Sequence, residues 1–438
     1  MSYKSNYKAS EIDNLLDSVN DLRDERVKDY ELYGYRKCIN DPNPFTRIEY
    51  IEDNKDFRPA SMNYNTGKFD YGDWAGAFFM QVKPVMLRYD GTIAEYLNPN
   101  DYTKRTDGLN SNNKNLEFEG NCMIQFPKIY VKRKTAGSYE YVWISNKQID
   151  SDFHCWSNYD AKGNEIDYFY YSAYEGVILS NVLRSMSGFA PTGDTNVAQE
   201  IQCVTANNKD RNQIWYTNIV ADWMLICDLL RLISKNSNVQ KTFGTGNCGI
   251  DSNVGSDASS LINTGTMDNK GLFWGSNNCL DGVKVFGIEN FWGNRWDRIA
   301  GWIYKPTGHF VKMTWNKNDG SKVIGYNTDG AGYISIKNSI ITGTSRTYIT
   351  KGITNDYGYF YTTLGGTTET YECDGGVYNE KGINYALVGG CSNSRYSAGL
   401  MVNTDANYTN TSWNVGASPS CKPYLRNIKK NSDNIIDN

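Results

Sequence analysis

From Ala9 to about Tyr30, Ile12, Leu15, Leu16, Val19, Leu22 and Val27 recur mostly at three- and four-residue steps among charged neighbours. Ser10 is placed as an N-cap, and Glu11 and Asp13 suit the first turn, so the pattern predicts an amphipathic helix. A helix this short is marginal alone; it either docks on its own domain or pairs with copies of itself. From Tyr33 to about Glu117 the period changes. Short apolar runs (Phe78–Met80, Val85–Leu87, Ile93–Leu97) alternate with Asn, Asp, Gly and Pro, which predicts a small unit of strands and turns. Two β-prone runs then flank Lys134-Thr135-Ala136-Gly137-Ser138 and predict a hairpin.

One more helical pattern stands out between Trp215 and about Ser237. Ile219, Trp223, Ile226, Leu229, Leu230 and Ile233 share a broad face, as expected of a core helix. Beyond it Gly, Asn, Ser, Thr and aromatics dominate, the composition of short strands joined by long ordered loops, without a fixed-period repeat. The expected fold class is α+β: an N-terminal assembly helix (1–30), a β-rich attachment or linker domain (31–117) and a large binding domain (118–438) with one or two core helices.

At 438 residues the chain can bury a sizeable core. Lys and Arg total 45 against 49 Asp and Glu, a formal net charge of −4; no chain-wide basic footprint predicts a nucleic-acid partner. No run approaches the roughly 18 apolar residues of a membrane span, and the first residues lack an apolar signal core. Synthesis in a cytoplasm, without membrane insertion, is therefore expected. The ten cysteines are scattered without a C-x-x-C pair, and only His154 and His309 could join them as soft ligands. That arrangement predicts buried reduced thiols, no structural metal and no cofactor.

The familiar catalytic signatures are missing. Gly244-Thr245-Gly246-Asn247-Cys248-Gly249 spells a dinucleotide fingerprint but follows a helix instead of linking a strand to one, so it reads as a helix-terminating loop. His154 and Cys155 are neighbours, and in a strand neighbours face opposite ways. No catalytic residue is assigned, and the chain is expected not to be an enzyme; a pair of glycosidase carboxylates could be recognised only in three dimensions.

Two segments carry more information. In Val285–Arg298 glycines permit turns while Phe286, Phe291, Trp292 and Trp296 offer large area for burial, which predicts a domain scaffold. Between Tyr385 and Tyr424, short apolar strands alternate with crowded Asn, Ser, Tyr, Thr, Asp and Trp. Rigid rings among small adaptable polar groups are the composition of recognition loops.

At these residues the sequence resembles phage tail and tropism-determinant proteins that share a C-type-lectin-like fold with formylglycine-generating enzymes. The resemblance spans roughly Glu117 to Tyr424. It rests on KVFGIENFWGNRWDRIAGW (284–302), NTGTMDNKGLFWG (263–275), Gly389-Gly390, Ala398–Leu400 and Gly416-Ala417, with upstream support from Leu97–Tyr102, Tyr174-Glu175-Gly176 and Leu183–Gly188. The sequence departs from the enzymes: Cys391 follows Gly390, but the next cysteine is Cys421, and a single thiolate does not make a copper-selecting pair. It also lacks the Glu-Pro-Asn and Trp-Asn-Asp signatures of calcium-dependent lectins, and Gly416-Ala417 is followed by Ser418 where the family has Arg.

The resemblance implies a bacteriophage virion surface protein, a tail or fibre component, that attaches to a host-cell surface glycan or protein through the C-terminal domain. Its binding residues would be Asn393, Ser394, Arg395, Tyr396, Asn403, Asp405, Asn407, Tyr408, Asn410 and Trp413, matching the face that varies in the tropism determinants. It further implies a homotrimer in contact with other virion proteins. The alternatives are a structural virion component that touches only viral proteins, and a divergent enzyme on the formylglycine-generating-enzyme fold.

Overall fold

A computed structural model describes residues 28–209, 213–249, 257–313, 330–394 and 399–424. Strands hold 37% of the chain and helices 10%, with three α-helices among the described residues: α1 (Val197–Thr205), α2 (Val220–Ser234) and α3 (Val239–Phe243). The expected α+β class, an N-terminal helix followed by a lectin-like domain with core helices, is thereby corrected to a mostly β architecture. Most of the apolar runs are too short to complete helical turns and are broken by Gly and Asn, so they satisfy their backbones by pairing as strands. The predicted helix from Ala9 to Tyr30 lies outside the described residues apart from its last three.

Three sheets form the body. A four-stranded antiparallel sheet runs Ile48–Glu52, Leu32–Cys38, Tyr139–Ser145, Tyr130–Ala136. Its last two strands make a hairpin across Gly137-Ser138, with Ala136 opposite Tyr139 and Gly137 at φ +60°. That left-handed position is the one a tight two-residue turn needs a glycine for. A seven-stranded sheet runs Trp215–Thr217, Pro419–Cys421, Tyr168–Ser172, Gly120–Pro127, Lys83–Arg88, Ile93–Asn98, Asp101–Arg105. Gly120–Pro127 is buried along nearly its whole length, as suits a central strand covered on both faces. The third sheet has nine strands and contains Trp296–Lys305, Asn384–Val388, Val402–Ala406 and Gly375–Tyr378 in that order.

The boundary expected at 117/118 is not a structural one. Lys83–Arg88 pairs with Gly120–Pro127, and Leu32–Cys38 pairs with Tyr139–Ser145. Turn-rich composition marked a change of local pattern, whereas strand pairing joins segments on either side of it.

Helix α2 is buried at all fifteen positions. Its apolar face belongs to the main core with Trp223, Ile226, Leu229 and Leu230. Its charged residues are buried too, each with a partner from another element. Asp222 accepts from Lys422 Nζ at 2.6 Å, Asp228 from Arg133 Nε at 2.6 Å and the Tyr35 hydroxyl at 3.1 Å, and Arg231 lies 3.4 Å from Glu372. Removing one partner of such a pair leaves an uncompensated charge in the core. Among the described residues no helix is long and apolar enough to cross a membrane.

Candidate binding cleft

The Val285–Arg298 segment is a scaffold held by buried polar contacts. Phe286, Asn290 and Asn294 adopt left-handed backbone conformations at φ +48°, +53° and +58°, so the chain turns repeatedly while its rings pack inward. Glu175, from the Tyr174-Glu175-Gly176 segment, is buried and accepts from Asn290 Nδ2 at 3.0 Å, Arg295 N at 3.1 Å and Asn294 Nδ2. Burial pushes its carboxyl up to about 7 against the pull of Arg295. The Arg295 guanidinium donates to the carbonyls of Gly176, Thr192 and Ala417. Segments far apart in sequence thus converge on one buried junction.

Upon this scaffold lies a cleft of about 340 Å3 lined by Trp296, Arg346, Thr347, Tyr348, Gly375, Val377, Asn393, Ser394, Met401, Asn403 and Asn414. Its floor is the nine-stranded sheet, where Gly375–Tyr378 runs parallel to Val402–Ala406. One wall is the turn after Gly390: Cys391 N donates to Ser394 Oγ at 2.8 Å, and Ser394 N donates to the Cys391 carbonyl at 2.9 Å. The Cys391 thiol is buried under this turn, 2.9 Å from Asn393 Oδ1 and 3.2 Å from Asn414 Nδ2. Burial pushes the thiol above its ordinary pKa, partly offset by Ser394, Asn393 and Asn414, and its contacts with Asn393 and Asn414 make it a support for the turn.

The opposite wall is Arg346, whose Nη2 donates to Asp405 Oδ2 at 2.8 Å. Asn403 Oδ1 accepts from Asp405 N at 2.8 Å; among the described residues no partner takes its amide N–H groups. The lining therefore pairs a compensated cation with three side-chain amides, the hydroxyls of Thr347, Tyr348 and Ser394, and the surfaces of Trp296, Tyr348 and Met401. Groups that both donate and accept, set beside flat apolar surface, suit an uncharged ligand rich in hydroxyl or amide groups.

Of the residues expected to bind, Asn393, Ser394 and Asn403 line the cleft, and Asp405 closes its rim through Arg346. Asn407, Tyr408, Asn410 and Trp413 belong to the adjoining loop. Tyr408 is 41% exposed there, Asn407 and Asn410 are also exposed, and Trp413 is half-buried. This loop is braced from the scaffold: Arg298 Nη2 donates to the Asn410 carbonyl at 3.1 Å while its Nε lies 3.3 Å from the buried Glu200. Asp194 N and Trp296 N hold the carbonyls of Ser412 and Asn414. Arg395 and Tyr396 fall outside the described residues. Sequence reasoning missed Arg346, Thr347 and Tyr348, which carry no recognition-loop composition, and took Trp296 for scaffold alone.

Both histidines pack against aromatic rings. His309 is buried, accepts from Trp302 Nε1 at Nδ1 (3.1 Å) and contacts the Tyr361 carbonyl through Nε2 at 2.9 Å. Desolvation holds its pKa down to about 3, so it is a neutral core residue with its proton on Nε2. His154 stacks on Trp156 with ring centres 4.8 Å apart. Among the described residues no group of three or more His, Cys, Asp or Glu is arranged to hold a metal.

Asp374, which precedes Gly375 of the cleft lining, is expected to make folding stability depend on pH. Its Oδ1 accepts from Leu400 N at 2.8 Å, while Oδ2 is buried without a hydrogen-bond partner. Desolvation, reinforced by Glu372 and opposed by Arg231, Leu400 N and Lys37, pushes its carboxyl up to about 8. An unfolded aspartate ionises near about 3.9. The folded state therefore keeps a proton that the unfolded chain has lost, so the contribution is fully present below about pH 4 and fades as pH rises through about 8. Asp374→Asn should flatten the urea-midpoint curve over that window and raise stability at its alkaline end; a variant that retains the wild-type slope would show that Asp374 is not the group responsible.

The sequence matches no family model, and no curated protein is recognisably similar to it.

Proposed function

We propose that this chain is a bacteriophage virion surface protein, a tail or fibre component, that attaches to the host cell by holding a surface glycan in the cleft between Arg346 and the Cys391–Ser394 turn. The cleft itself carries the reading: polar side chains that sequence composition placed in a recognition face meet there on a braced sheet, beside Trp296 and Tyr348. Side-chain amides and hydroxyls match the mixed donor and acceptor character of sugar hydroxyls, and rings supply contact at low entropic cost. The reading also rests on the resemblance of residues 284–302 and 389–417 to phage tail and tropism-determinant proteins, from which the expected binding residues were taken. Assembly as a homotrimer with other virion proteins would multiply a weak single-site contact through avidity.

The direct test is attachment of the purified chain to a panel of intact bacteria and to a glycan array. Asn403→Asp keeps the acceptor for Asp405 N and removes the amide donors. Arg346→Asn removes the guanidinium with a residue that tolerates the φ of +65° found there. At roughly 0.5–1.5 kcal/mol for each lost hydrogen bond, the double variant should bind about tenfold or more weakly. Its melting temperature should stay close to wild type, because Arg346 is exposed and the half-buried Asn403 keeps the oxygen that accepts from Asp405 N. Binding that is unchanged in the double variant places the contact elsewhere, and a chain that binds no cell while assembling tightly into particles is a structural component instead.

A further inference from the structure

The loop that follows α3 lies against the turn at Ser276–Leu280, and short backbone contacts set the register between them. Thr245 N donates to the Ser276 carbonyl at 2.8 Å, and Cys279 N donates to Thr245 Oγ1 at 2.9 Å. Cys248 N and Gly249 N both donate to the Cys279 carbonyl, at 3.0 and 2.8 Å. A methyl group built on Gly249 would lie 2.5 Å from Cys279 Cβ, which shows how closely the two strands of chain approach. Cys248 and Cys279 thus stand on directly hydrogen-bonded backbone, on two chain segments that lie in close contact. The two thiols also feel each other: burial raises the Cys248 pKa first, and Cys279 raises it further. Both are free thiols in this structure.

We propose that Cys248 and Cys279 form an oxidation site, at which a small-molecule disulfide converts the pair to one intramolecular bond tying the loop after α3 to the Ser276–Leu280 turn. Cys279 is the attacking thiol because it is 6% exposed whereas Cys248 is fully buried. Its thiolate displaces one thiolate from glutathione disulfide and forms a mixed disulfide. The Cys248 thiol then loses its proton and attacks the Cys279 sulfur, displacing the second glutathione thiolate. Two protein thiols are oxidised, one glutathione disulfide is reduced, and the two protons end on the two glutathione thiols. The bond would lie beneath a second cleft, of about 430 Å3, to which the joined loops contribute Thr245 and Asn277; Gln240, another of its walls, donates to the Thr245 carbonyl at 2.6 Å. Oxidation therefore stiffens that cleft. It requires no assumption about the receptor site.

The test is to treat the folded full chain with glutathione disulfide, unfold it, count free thiols and map the linked peptides. Wild type should lose two of its ten thiols, yield a Cys248–Cys279 peptide and recover both thiols with dithiothreitol. Cys248→Ser should stop at a glutathione adduct on Cys279, and Cys279→Ser should leave Cys248 unmodified. A folded wild-type chain that keeps all its thiols overturns the proposal. So does a bond from Cys248 to Cys391, whose thiol also acts on it. The wild-type count decides the matter even where a serine variant fails to fold.

Discussion

Glu372→Gln should destabilise the folded chain by about 3–5 kcal/mol, the range found when one partner of a buried ion pair is removed. Glu372 is 1% exposed and gathers three cations from separate elements. Lys37 Nζ lies 2.6 Å from its Oε1, Arg47 Nη1 lies 3.1 Å from the same oxygen, and Arg231 Nη2 lies 3.4 Å from Oε2. Glu140 is the further carboxylate on Lys37, at 2.8 Å. With a neutral amide at position 372 the cluster keeps its cations and loses the group they share. Desolvation pushes the Glu372 carboxyl up, but Lys37, Arg47 and Arg231 outweigh it and hold the group down to about 2. Its contribution is thus present above the ordinary range near about 4.3 and lost as pH falls toward about 2, the opposite direction from Asp374 two residues away. Chemical denaturation at neutral pH measures the cost. A companion Arg47→Met change should recover part of it by removing a cation whose only carboxylate partner among the described residues is Glu372, whereas Lys37 keeps Glu140; a loss below about 1 kcal/mol for Glu372→Gln would mean the cluster is solvated and behaves as a surface pair.

Trp292→Ala should cost a similar amount, about 3–5 kcal/mol, through lost burial and the cavity left behind. Trp292 is fully buried, packs beside Phe243 and Phe291, and donates from Nε1 to the Gly244 carbonyl at 3.1 Å. A Cβ on Gly246 would meet its ring at 2.9 Å, so the neighbouring backbone is already as close as it can come and collapse into the space is limited. The effect should reach the binding cleft as well. Gly293 N donates to the Gly389 carbonyl at 2.7 Å and Ser392 N to the Asn294 carbonyl at 2.9 Å, which makes the residues beside Trp292 the support for the Cys391–Ser394 turn. On the function proposed above, host-cell binding should therefore fall along with the melting temperature. Trp413→Ala, at a half-buried position on the adjoining loop, offers the contrast: a small stability change. Equal destabilisation by the two substitutions would show that the scaffold role assigned to Trp292 is wrong.

Much of the local structure was legible because it depends on near neighbours. The Gly137-Ser138 turn, the turn-and-ring pattern of Val285–Arg298 and most of the helix predicted from Trp215 to about Ser237 are properties of a few consecutive residues, although Trp215–Thr217 is a strand and the helix itself is Val220–Ser234. The crowding of small polar residues beside rings around Asn393, Ser394 and Asn403 was legible in the same way. Arg346 and Tyr348 gave no such sign. They belong to the cleft only because Thr347–Asn355 lies alongside Gly375–Tyr378 in the sheet.

By itself, then, the sequence determined where the chain turns, which stretch holds the long buried helix and which segment crowds small polar residues beside rings. Periodicity and side-chain type act over a few residues and need no partner. Only the tertiary structure decided that the chain is mostly β, that residues on both sides of 117 share sheets, and that Asp228, Arg231 and Glu372 are core residues instead of a solvated polar face. Those outcomes depend on which distant strand supplies each hydrogen bond and which distant side chain neutralises each buried charge, and no local pattern encodes the identity of a partner that may lie more than a hundred residues away, as Arg231 does from Glu372.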